Sequence, residues 1–162
     1  MSTNTPRVLA IAARTMHVGC VHLVDGKLVD WGLAYVRTTE EATAKLYEWL
    51  DIYKPDCLVS EDPETEFKKS GKQIDILKAF VKIGREAQVL NLVLTRKKTH
   101  KNLYLQAVSL AEQFPEIASR VPKKPPIWLP GHRNLVFFDA LALAKQLLEG
   151  DGSQTGKLIP EN

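Results

Sequence analysis

Two carboxylates stand where a folded chain could gather metal ligands from distant segments. Glu61 closes the apolar run beginning at Cys57, and Asp139 lies near the start of the helix-like stretch FFDALALA. Acids widely separated in sequence, one ending a strand-like run and one in an apolar helix, suit metal-dependent phosphodiester hydrolysis, because hard cations such as magnesium take oxygen ligands and share them with phosphate. The opening run VLAIAART is where a third acid would complete the set, and it offers Ala12 instead. The residues therefore pose a choice between a working hydrolase and a binding protein built on the same frame.

The elements that would position these residues can be read from periodicity. Segments 7–13, 19–24 and 28–36 are strand-like, and Asp25-Gly26 between the last two is a strong two-residue hairpin signal, so an antiparallel meander is expected first. Thr38 or Thr39 can cap a helix whose first turn holds Glu40 and Glu41 and whose apolar face is read as Ala44, Leu46, Tyr47 and Leu50, ending before Pro55. A buried strand over 57–60 follows. Ile74, Leu77, Phe80 and Val81 then suggest one face of a helix leading to a strand over 89–94, parallel to the previous one. A helix over about 102–114 precedes the loop SRVPKKPPIWLPGHR, too rich in proline for regular structure, and a last helix is expected over about 135–148. The fold class is thus α/β, a mixed five-stranded sheet with helices on both faces, forming one domain over 1–150 with a flexible tail over 151–162.

Composition narrows the function classes. With 162 residues, 44% hydrophobic and 25% charged, the chain can bury a proper core and is not a disordered segment. No stretch approaches the roughly 18 apolar residues of a membrane span, and MSTNTPR lacks the apolar core of a signal peptide, so a cytoplasmic protein with no membrane partner is expected. Cys20 and Cys57 lie in apolar runs without metal or redox spacing and read as buried thiols. The net charge of +3 is modest, and its distribution says more. Lys68, Lys69 and Lys72 follow the Glu61 strand; Arg96, Lys97, Lys98, His100 and Lys101 follow the next one; Arg120, Lys123 and Lys124 lie in the proline-rich loop. Surface solvation explains any one cluster, whereas three beyond element ends point to phosphate contacts and a nucleic-acid partner.

The order of elements is that of the ribonuclease H-like fold, and three stretches carry a resemblance to one family within it. VLAIAARTMHVGCVHLVDGKLVDWG resembles the first hairpin of RuvC-type Holliday junction resolvases, whose first strand ends Ile-Asp before a polar turn. KPDCLVSEDPE resembles their second acidic strand, with Glu61 on the glutamate, and FFDALALAKQLLEG resembles their terminal helix, with Asp139 on its last aspartate. The resemblance covers about residues 7–149 and implies Glu61 and Asp139 as residual metal ligands, magnesium with manganese as its substitute, a homodimer, and branched DNA favoured over RNA. It equally implies two losses: Ala12 stands for the first-strand aspartate, and Val136 for the earlier aspartate of the terminal helix. Since each ~1.4 kcal/mol of lost transition-state stabilisation is a factor of ten in rate, a catalytically impaired or inactive structure-selective endonuclease is the expectation.

Other candidate residues are His132, for a nitrogen ligand or proton shuttle, and Arg14, in the polar turn where the family's backbone approaches the phosphate. Trp128 between prolines could stack on a base, although pinning a loop to the core is commoner; Trp31 and Trp49 read as core residues. The structural readings set beside these are a strand-end Glu61 paired with Lys68 or Lys69, a first-turn Asp139 favoured by the helix dipole, and an ordinary loop histidine at 132. Asp62 is a poor substitute ligand, because it should point to the other face of the sheet from Glu61. The alternatives are an active metal-dependent endonuclease on branched DNA or structured RNA of the YqgF type, and a non-catalytic adaptor binding protein. Actin-like ATPases and sugar kinases share the opening hairpin, but ARTMH lacks the glycines that let backbone amides approach phosphates.

Overall fold

The computed structural model describes residues 6–14, 16–64, 71–95, 103–122 and 134–149. Three antiparallel strands open it: β1 (Arg7–Ala13), β2 (His17–Val24) and β3 (Lys27–Tyr35). The Asp25-Gly26 turn has positive φ at both residues, 56° and 78°, the backbone that matches the right-handed twist of a tight hairpin. Helix α1 (Thr39–Tyr53) crosses to β4 (Cys57–Glu61), α2 (Gly71–Glu86) crosses to β5 (Leu90–Leu94), and α3 (Leu103–Gln113), a 3-10 turn (Pro115–Arg120) and α4 (Leu135–Leu148) complete the order. The sheet order is β3-β2-β1-β4-β5, antiparallel across the first three strands and parallel between β1, β4 and β5. This is the mixed five-stranded sheet with helices on both faces that the sequence led us to expect.

Strand alternation divides the interior into two cores. Leu9, Ile11 and Ala13 of β1, with Val18, Cys20 and Leu58, pack against α1 and α2. Ala10, Ala12, Val21, Leu23, Cys57 and Val59 face the opposite way, against α3 and α4. Helix α4 is buried almost all round, as its continuous apolar sequence requires, and lies across β1, β2 and β4. α1 begins on a Thr38 cap whose Oγ1 accepts from the Glu41 amide at 3.1 Å, while Glu41 Oε1 accepts from the Arg37 amide at 2.7 Å.

Several local expectations are corrected. The buried stripe of α1 is Ala42, Leu46 and Trp49, one residue in each turn, and Ala44 and Tyr47 are exposed. In α2 the inward face is Ile76, Leu77, Phe80, Ile83 and Gly84, so Ile74 and Val81 lie at its margin. Gly84 is tolerated there because a Cβ would come within 3.0 Å of the Leu58 side chain and closer still to Asn91. The loop expected from Ser119 starts inside the 3-10 turn, because Pro115 stands at the first position of that turn, where its missing N–H costs nothing. Strand β2 also starts two residues earlier, at His17. Both thiols are buried, and burial raises each, Cys57 to about 12.

Candidate functional site

The parallel register between β1 and β4 places the first two positions of interest side by side. Val8, Leu9 and Ala10 pair with Cys57, Leu58 and Val59, a constant offset that, continued by one side-chain period, sets Ala12 beside Glu61. Ala12 belongs to the core on the α4 side, and Glu61 follows Cys57 and Val59 in alternation onto that face. Both are buried, Ala12 at 1% and Glu61 at 2% exposure. Asp139, on the helix that covers this face, is 3% exposed.

The partner of Asp139 was not foreseen from the sequence. Arg14, one residue beyond β1, donates from Nε to Oδ2 at 2.8 Å and from Nη2 to Oδ1 at 3.2 Å, engaging both carboxylate oxygens. Asp139 is therefore not a first-turn acid answering the helix dipole; it sits in the second turn and answers a guanidinium. A planar guanidinium suits this two-pronged arrangement as no ammonium would. The acid end is buried and the guanidinium half-buried, with side-chain exposures of 4% and 30%, so removing Arg14 costs Asp139 its bidentate partner in a poorly solvated place. The signal available in advance was modest: an acid buried in an apolar helix needs a partner, and Arg14 is the cation that directly follows the first strand.

Positions 12 and 136 are packed together around Gly19. Ala12 is the cross-strand partner of Gly19, and a Cβ on Gly19 would lie 2.6 Å from Val136 Cγ1. Residues 12, 19 and 136 thus form a tight apolar patch at the strand end, with no room for carboxylates and their hydration. Among the described residues, no group of three or more His, Cys, Asp or Glu side chains is placed to hold a metal ion. The described residues do not fit a two-ion centre.

Asp62 does other work. β4 ends at Glu61, the Asp62 amide donates to the Leu94 carbonyl at 2.8 Å, and its Oδ1 accepts from the Glu64 amide at 2.9 Å, which closes a turn. The first turn of α2 lies against the turn between β1 and β2: Gln73 Nε2 donates to the Ala13 carbonyl at 2.8 Å, and Lys72 Nζ is 3.9 Å from Met16 Sδ. Lys72 and Arg14 are thereby brought to one rim. Lys68, Lys69, Arg96, Lys97, Lys98, Lys101, Lys123, Lys124, His132 and Trp128 lie outside the described residues. The chain leaves β4 after Glu61 and β5 after Leu94 at the carboxyl side of the parallel strands, where open α/β sheets bind ligands.

A second polar cluster sits toward the other end of β1. His22 stacks on Tyr53 with ring centroids 4.6 Å apart, and Tyr53 Oη donates to Asp30 Oδ2 at 2.8 Å. Burial, reinforced by the positive charge of Arg7 and opposed by Asp30, holds the His22 imidazole below its ordinary 6.5. Its Nε2 is buried with no hydrogen-bond partner among the described residues, in keeping with a neutral ring.

No family model matches this sequence, and no curated protein does. Solved structures do resemble it. Thermus thermophilus RuvC in complex with a Holliday junction substrate superposes with a TM-score of 0.57 at 15% identity, covering 93% of this chain and 99% of that one. A fowlpox virus resolvase in complex with its substrate Holliday junction DNA gives 0.56 at 12% identity, covering 89% and 97%. YeaZ from Pseudomonas aeruginosa gives 0.53 at 12% identity, covering 97% and 99%. These likenesses show the RuvC-like, ribonuclease H-like fold.

Proposed function

We propose that this chain is a nucleic-acid-binding protein of the RuvC-like type that engages branched DNA and does not cut it at a resolvase's rate. The observation that carries the reading is the state of Asp139, whose two oxygens are both taken by Arg14, beside Ala12 and Val136 at the positions of the missing acids. Two-metal hydrolysis needs several carboxylates that bridge and flank the ions, and among the described residues no group of three or more candidate ligands is gathered. Binding needs less: cations on a rim. Lys72 is held there, and Lys68, Lys69, Arg96, Lys97, Lys98, Lys101, Lys123 and Lys124 are the further phosphate contacts assigned by this reading. A homodimer suits a two-fold junction, and the setting is cytoplasmic.

Affinity for a labelled four-way junction, measured by fluorescence anisotropy across a salt series, tests it. Neutralising three phosphates lowers affinity about 40-fold from about 50 to about 200 mM salt, and more contacts steepen the fall. A flat or absent response identifies the adaptor alternative instead. Competition by structured RNA decides between DNA and the YqgF-like reading. In the same tubes, magnesium or manganese should yield no product within the time in which a resolvase completes the reaction. A second reading keeps slow activity: one ion on Glu61 and Asp139 plus substrate phosphates, favoured by the two acids facing the same side of the sheet. It requires Arg14 to release Asp139, and cleavage by the unmodified chain would establish it.

A further inference from the structure

We infer that Arg14 is a built-in cation that has taken Asp139 over from a divalent ion, so that this carboxylate has a fixed counter-charge without metal. The inference rests on reading this strand end as a former metal site. Three features carry it. The guanidinium engages both carboxylate oxygens, at 2.8 and 3.2 Å, as a bidentate partner would. Its backbone is held on both sides: the Arg14 amide donates to the His17 carbonyl at 2.8 Å, and the preceding carbonyl, of Ala13, accepts from Gln73 at 2.8 Å. A side chain rooted in such a turn is pre-positioned, which distinguishes it from a surface ion pair that pays rotamer entropy to form. Finally, the losses and the gain match in sign. Removing the acids expected at 12 and 136 removes negative charge that dications had balanced, and a single permanent monocation then suffices for Asp139.

The alternative is a plain structural ion pair, and response to metal separates the two. The unmodified chain should show the same melting temperature with and without millimolar manganese, and its Mn2+ paramagnetic resonance spectrum should be that of the free ion. Arg14→Ala should melt lower, recover on adding Mn2+, and bind Mn2+ at least tenfold more tightly than the unmodified chain. Arg14→Ala/Asp139→Asn, which has no stranded charge, should show no recovery. If Arg14→Ala is too unstable to purify, Arg14→Gln carries the same measurements with a neutral side chain of similar reach. Two results overturn the inference: Mn2+ binding by the unmodified chain as tight as by the variant, or a destabilised Arg14 variant that manganese does not rescue. Because the test contains no nucleic acid, its failure leaves junction binding standing, and a failure of junction binding leaves this result standing.

Discussion

Gly19→Ala tests the packing of the β1–β2 strand end against α4. The new methyl would sit 2.6 Å from Val136 Cγ1 and 3.4 Å from the Val136 backbone carbon, well inside ordinary contact. Val136 cannot turn away cheaply, since a β-branched side chain in a helix has one favoured rotamer, and α4 is gripped on nearly every side. Overpacking of this kind costs about 1–3 kcal/mol. Against it stands the gain of about 0.4–1 kcal/mol from removing a glycine from the unfolded ensemble. The expected net loss is therefore about 0.5–2 kcal/mol, read as a lower urea midpoint with an unchanged slope. Val136→Ala alone should cost about 2 kcal/mol by opening a cavity. Combined, the new methyl partly fills the space vacated by the old one, so the double variant should lose less than the sum by about 1 kcal/mol. Strict additivity would refute the idea that positions 19 and 136 close this strand end together.

Two further outcomes are specific to named groups. His22 is neutral in the fold and takes a proton near its ordinary 6.5 once unfolded, so as pH falls through that value the unfolded state binds more protons and stability drops; above it the contribution is constant. Melting temperature against pH should thus fall more steeply below pH ~6.5 for the natural chain than for His22→Phe, and parallel curves would contradict it. Lys54 ends α1 with φ of 45°, its amide bonded to the Leu50 carbonyl, in a region where a Cβ is strained. Lys54→Gly should stabilise by about 1 kcal/mol in chemical denaturation.

Much of the frame was legible because local signals agreed with one another. The Asp25-Gly26 turn and the strand-like runs each had one physical interpretation, and with the intervening helices they implied an antiparallel meander followed by parallel strands, while the cap of α1 stayed open between Thr38 and Thr39. Helix faces were less legible. Tyr47 and Val81 are apolar by type and exposed or marginal by position, because Trp49 and Ile83 fit the curved sheet face better and periodicity alone does not rank them. The candidate site was half legible. Glu61 and Asp139 were brought together by the family resemblance and not by periodicity, and the Arg14 pairing spans 125 residues and is set by how α4 lies across β1. Likewise Gly19 looked like an ordinary strand glycine until the helix above it supplied Val136. Reintroducing an acid at position 12 alone would consequently bury it against that apolar patch.

The tie between residue 14 and residue 139 also changes when the site becomes ready for use. An enzyme that loads an inorganic ion does so after folding, from solution, at an occupancy that follows the surrounding ion concentration. On the inference drawn above, the counter-charge arrives covalently attached to the first hairpin and waits for the last helix, so that pairing becomes a step of chain assembly rather than of ion supply.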